Sequence, residues 1–149
     1  MDIALWVAVI GGLFSVVVVF VTKFLESRSA NIAVLAEIQR LLTVLDRHRR
    51  WWEACIKSGD TQLPLVPFTT PVFDEQVKTI GHVDRKVVAN VVAFYGYVKF
   101  INAIQSEKSK YMGAVKEEQF NTQYVGILGN VLRDYQGKFD EAFRKHGLL

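Results

Sequence analysis

From Ile3 to Thr22 the chain reads IALWVAVIGGLFSVVVVFVT, twenty positions without a charge, and beyond it apolar residues return at helical spacing. At about 1.5 Å of rise each, such a run makes a helix of roughly 30 Å, the thickness of a bilayer's hydrocarbon core. The expectation is a transmembrane anchor over residues 1–25. A helix apolar on every face otherwise needs a large domain around it, and the rest of this 149-residue chain is amphipathic. A secretory signal fits less well. Ahead of the run stand only the amino terminus and Asp2, where a signal carries basic residues, and Lys23-Phe24-Leu25-Glu26-Ser27-Arg28 offers no small-residue cleavage site.

The periodic part predicts a helical bundle over 26–149. Val34, Ile38, Leu41, Leu45, His48, Trp52 and Cys55 step by four and three, Leu35, Leu42 and Ile56 widen the stripe, and a core helix over about 30–56 follows. Glu37, Arg40, Arg47 and Arg50 fall on its other side, the solvated one. No Pro or Gly separates it from the apolar run, so one rod is expected, with a hinge at Ser27 or Ser29 as the alternative. Lys57-Ser58-Gly59-Asp60 ends the helix. Pro64, Pro67 and Pro71 hold the next segment extended, and its Leu63, Leu65, Val66 and Phe68 are apolar enough to pack across the helices. Thr70-Pro71 is an N-cap followed by proline at the first helical position, opening a short helix over 71–80 that Gly81 stops. Asp84 caps a helix over 84–106, with Val87, Val88, Val91, Val92, Phe94, Tyr95, Val98, Ile101 and Ile104 in the core. A last helix is expected over 115–146, with Phe120, Tyr124, Leu128, Leu132, Tyr135, Phe139 and Phe143 inward and Gly126, Gly129 and Gly137 marking close contacts or a kink. The fold class is therefore all-α: one N-terminal transmembrane helix and a small bundle.

Charge sets the topology. Lys23, Arg28, Arg40, Arg47, Arg49 and Arg50 follow the apolar run and no Lys or Arg precedes it, which places the bundle in the cytoplasm of a bacterial inner membrane and the N-terminus outside. A single cysteine, Cys55, suits a reducing compartment. The net charge of +3 is spread along the chain and not gathered on one face, which argues against nucleic acid as a partner.

Two groups of residues invite a function. Inside the anchor, Ala4, Ala8 and Gly12 recur every fourth position, with Gly11 and Ser15 beside them, and such small ridges let helix backbones approach closely in lipid. The same residues are common in any membrane helix. The second group is the basic cluster Arg47, Arg49 and Arg50, next to Trp51 and Trp52. Cations beside aromatics suit phosphate neutralisation and base stacking. On a helix, however, they point in different directions, and Asp46 and Glu53 flank them. A continuous helix also carries Arg47 roughly 35 Å beyond Phe24, several Debye lengths from lipid headgroups. The cluster reads as solvated or partner-facing. His48, in the seam between Leu45 and Trp52, is either a half-exposed edge residue or a buried imidazole that titrates near neutrality.

The stretch TTPVFDEQVKTIGHVDRKVVANVVAFYGYVKFINAI, with the apolar run and LAEIQRLL ahead of it, resembles a group of small bacterial single-pass membrane proteins of uncharacterised activity. The residues that carry the resemblance are Glu37, Ile38, Phe73, Asp74, Ile80, Gly81, Val92, Phe94 and Tyr95. They are caps and core positions, so the resemblance implies a shared helical fold and no chemistry.

No catalytic residue, cofactor or metal is expected. His48, His82 and His146 lie in no H-E-x-x-H or Cys/His spacing, one cysteine cannot build the usual zinc sites, and no glycine-rich phosphate loop is present. The pairs Asp74-Glu75, Glu117-Glu118 and Asp140-Glu141 diverge by about 100° on a helix. The expected function is non-enzymatic: a membrane protein that acts by self-assembly or by binding a membrane-protein partner, with lipid around its anchor. The alternatives are an oligomeric membrane-perturbing or pore-forming effector, of the phage-defence or exclusion type, and an accessory subunit of a larger membrane complex.

Overall fold

The structure, a computed structural model, describes the backbone of residues 3–59, 66–76, 85–107 and 114–149, without the side chains of 3–17, 19, 20, 22–27, 85, 86 and 114–116. Five helices cover these residues: α1 (Ile3–Lys57), α2 (Pro71–Gln76), α3 (Arg85–Glu107), α4 (Ala114–Tyr135) and α5 (Asp140–Lys145). The fold is all-α. α1 runs without interruption through Ser27 and Ser29, so its 55 residues form the single rod expected, about 80 Å long, and not the hinged alternative.

The C-terminal half of α1 is the spine of the bundle. Val34, Leu35, Ile38, Leu41, Leu42, Leu45 and Trp52 are all buried in one core with Phe94, Val98 and Ile101 of α3 and Leu128, Val131 and Leu132 of α4. Contacts along the spine set the directions. Trp52 meets Tyr124, Arg49 lies beside Gly129 and Gln39 binds the carbonyl of Leu148, so α4 and the C-terminal segment run antiparallel to α1. Glu37 binds Tyr95, whereas His48, eleven residues on, reaches Phe68 and through it Asn102, so α3 runs parallel to α1. α1 stops at Ser58-Gly59, where Gly59 takes the left-handed conformation (φ 80°) that a side chain would strain.

Three expectations are corrected. The last helix is broken: Lys138 and Asp140 donate to carbonyls only three residues back, Tyr135 and Gly137, and this tight turn at Gly137, a poor helix former, separates α4 from α5. Beyond it Phe139 and Phe143 are buried as foreseen. Val92 is not in the core but 51% exposed, because the inward arc of α3 is filled by Val91, Phe94, Tyr95 and Val98. Glu37 is not on a solvated face. It is 4% exposed, for reasons that belong to the site below.

The expected anchor is helical in backbone, but the side chains of Ala4, Ala8, Gly11, Gly12 and Ser15 lie outside the described residues, as do the expected stop at Ile80-Gly81 and the cap at Asp84. Among the described residues, one helical stretch, Val87–Glu107 of α3, is long and apolar enough to cross a membrane by length and composition. That stretch is also a wall of the bundle, with Val91, Phe94, Val98 and Ile101 buried against other helices.

Candidate functional site

α3 carries two apolar stripes where a helix packed on one side needs one. The inward stripe fills the core. The outward one comprises Ala89, Val92, Ala93, Gly96, Phe100 and Ala103, spaced by three, one, three, four and three, and every member is exposed. Val92 is 51% and Phe100 52% exposed, and nothing lies within 4 Å of where a Gly96 side chain would begin. Between Val87 and Ser106 the only charge is Lys99, and it is drawn to the flank, donating to Asp74 at 2.9 Å. Tyr97 borders the stripe on the other side and leans on Tyr135, over whose ring Lys138 sits at 4.4 Å. The result is an uncharged apolar ridge with a gap at Gly96, about 20 Å long from Ala89 to Ala103. A signal for it was in the sequence: α3 has apolar residues all round and lacks the polar face of a surface helix.

A buried polar knot holds α3 in place behind this ridge. The first turn of any helix leaves N–H groups unsatisfied. In α2, Pro71 has none to offer, and the N–H groups of Val72 and Phe73 donate to Glu37 Oε1 and Oε2, each at 3.0 Å. The Tyr95 hydroxyl donates to the same Oε2 at 2.7 Å, and the Phe73 and Tyr95 rings stack at 3.8 Å. Glu37 therefore caps α2 from another helix. Thr70 does occupy the cap position, since its carbonyl accepts from Asp74 N–H, but its hydroxyl donates to the Asp74 carboxylate. Hydrogen bonds from Lys99 and Thr70 hold the Asp74 carboxyl below its usual range. With charge-assisted bonds at about 1.5–3 kcal/mol each, three of them offset the cost of burying one carboxylate.

The basic cluster is largely neutralised. Arg49 donates to Asp46 at 3.1 Å and to Glu53 at 2.6 Å, and Arg50 pairs with Asp46 at 2.6 Å. Partial burial raises the Asp46 pKa, but the two guanidiniums outweigh it and hold the group below its ordinary value. Arg47 is exposed. Two of the three cations thus share two carboxylates, an arrangement suited to a solvated surface and poorly suited to gripping phosphate.

His48 sits in a box of rings: Phe68 and Tyr124 stand edge-on at 5.4 and 6.0 Å, and Trp52 and Trp51 lie at 5.8 and 6.0 Å. Both edge-on walls are held by α3. The Asn102 amide exchanges two hydrogen bonds with the Phe68 backbone at 2.8 Å, and Gln105, one turn on, donates to the Tyr124 hydroxyl. Among the described residues no three His, Cys, Asp or Glu side chains converge to hold a metal ion. No protein-family model, curated protein or solved structure matches the chain.

Proposed function

We propose that this chain is a non-enzymatic, membrane-anchored assembly protein whose bundles associate, copy to copy, through the outward ridge of α3. The observation that carries the reading is the ridge: six exposed residues, uncharged and contiguous, on a helix whose other face is already buried. In this reading residues 3–22 cross the bacterial inner membrane, the bundle lies in the cytoplasm, and the Ala4, Ala8 and Gly12 ridge adds a second contact within lipid. The unbroken α1 supports it, because a rigid rod carries the orientation of the anchor into the bundle. So does the parallel course of α1 and α3. Two copies inserted the same way and related by a two-fold axis along the membrane normal would bring their α3 ridges together in parallel, Gly96 beside Gly96. An uncharged face matches itself without burying an unpaired charge.

Size argues for the anchor's part in this. A ridge about 20 Å long and 10 Å wide covers roughly 200 Å², well below the 800 Å² or so per partner of a free-standing interface. Confinement to one membrane raises the effective concentration enough for a weak contact to be used.

The test is the mass and composition of the full-length protein extracted in mild detergent, beside a Val92→Glu/Phe100→Glu variant. A homo-oligomer that the variant reduces to a smaller species, with helicity unchanged, supports the reading. A monomer, or a stoichiometric complex with another membrane protein, overturns it, and the latter would make the chain an accessory subunit.

One observation favours a second reading, a membrane-perturbing effector: α3 itself meets the length and composition of a membrane span. Here the bundle opens and α3 enters the bilayer through its apolar ridge. Dye leakage from liposomes, with Phe100 shielded from aqueous quenchers, would select this reading over the first.

A further inference from the structure

His48 is half-buried, yet its Nε2 atom is shut off from solvent and has no hydrogen-bond partner. A neutral imidazole tolerates this when Nε2 is the unprotonated nitrogen, which loses one acceptor interaction. An imidazolium does not, because it must place an N–H at that same atom with nothing to receive it. The charges around it offer no relief. On α1, Asp46 and Glu53 are committed to Arg49 and Arg50. From α4 the facing titratable group is Tyr124, whose phenol burial pushes up to about 12, so that it stays neutral. The 66–70 segment brings only the Phe68 ring, and α3 stands behind with the uncharged amides of Asn102 and Gln105. Burial alone holds the imidazole below its ordinary value.

Of the four walls, Trp51 and Trp52 belong to the spine and Tyr124 to a packed helix. Phe68 alone is carried by a short segment outside the helices, and the Asn102 amide is what ties that segment's backbone to α3. Phe68 is 5% exposed although Val66, two residues before it, is 55% exposed. The segment therefore turns inward at Phe68, whose ring lies directly against the imidazole.

We propose that His48 is an acid-released latch: the neutral ring keeps Phe68 seated and residues 66–70 docked on α3, and its protonation expels Phe68 and frees the segment. Water then reaches Nε2 and the imidazolium is solvated. The sign follows from linkage. The open form titrates near the free value of about 6.5 and the closed form lower, so the closed form is fully favoured above about pH 6.5. It loses up to tenfold in population for each unit below that, until the closed-state pKa is passed. This inference is independent of the assembly reading, since it concerns the fold of each copy.

Hydrogen exchange of the Phe68 amide, whose N–H is held by Asn102, tests it in the full-length protein in detergent micelles. The expected result is a protection factor that falls by about tenfold or more between pH 7 and pH 5, with core amides of α1 and α4 unaffected. His48→Phe, which keeps a ring and removes the titration, should abolish the fall. A pH-independent protection factor in the native chain, or the same fall in His48→Phe, overturns the latch. Should that variant not fold, NMR titration of the imidazole in the native chain decides: a pKa at or above 6.5, or a titration that leaves the Phe68 amide unmoved, overturns it equally.

Discussion

The carboxylate of Glu37 on α1 receives the hydroxyl of Tyr95 on α3 at 2.7 Å, in a site where Glu37 is 4% and Tyr95 1% exposed. The same carboxylate caps α2, so one buried charge joins three helices. Glu37→Ala leaves three donors unsatisfied and should cost about 3–5 kcal/mol, read as a shift in urea midpoint at unchanged slope. Glu37→Gln should recover only part of it, because an amide turns a donor toward one of the N–H groups. Tyr95→Phe should cost less, about 1–2 kcal/mol, since both N–H bonds remain.

Gly96 separates stability from assembly. Its Cβ position is open and its backbone is helical, so Gly96→Ala should stabilise the isolated bundle by about 0.5–1 kcal/mol. Gly96→Leu should also fold, yet it fills the gap that a close ridge contact needs. Thermal unfolding and detergent-extracted mass measured together should show a bundle that is no less stable but no longer assembled. Assembly undiminished in Gly96→Leu would count against α3 as the contact.

Gly147 closes α5 with φ 70°, and the N–H groups of Gly147 and Leu148 donate to the carbonyls of Arg144 and Phe143, the paired bonds of a Schellman motif. The turn presents the Leu148 carbonyl to Gln39 at 2.6 Å. Gly147→Val should cost about 1–2 kcal/mol through the left-handed conformation alone, and Gln39→Ala should loosen the same end in hydrogen exchange.

Stability should fall on both sides of neutrality, in distinct windows. Burial depresses the His48 pKa, so its contribution is complete above about 6.5 and declines as the pH drops from there. Asp46 and Asp74 are both held below 3.8, and what they contribute is lost only as the pH falls through that value. At the alkaline end, burial raises the Tyr124 phenol from 10.0 to about 12, against the opposing hydrogen bond from Gln105. The folded state therefore keeps a neutral phenol that the unfolded chain would ionise. Tyr124 should contribute a loss of about 2–3 kcal/mol between pH 10 and 12, beside a loss from Tyr95, whose phenol is raised by burial and by Glu37, and Tyr124→Phe should remove its own share of that limb in urea titrations.

What the sequence by itself determined are the features that local spacing controls. The apolar seam of α1 from Val34 to Trp52, with His48 half-buried within it, is buried where its four-three spacing puts it, because a helix presents every third or fourth residue to one side whatever lies there. The stop at Gly59 and the cap position at Thr70 are equally local, one a matter of backbone conformation and the other of the first hydrogen-bonded turn. Only the tertiary structure decided which partner each side chain meets. Glu37 reads as solvated because a lone carboxylate on an amphipathic helix normally is, and nothing near it in sequence announces that α2 will dock its N–H groups there 35 residues later. Arg47, Arg49 and Arg50 look like one cationic cluster until Asp46 and Glu53 are seen to take up two of them. Val92 and Phe94 are equally apolar on paper. Bundle geometry leaves one at 51% exposure and the other at 0%, because the other helices cover only one side of α3.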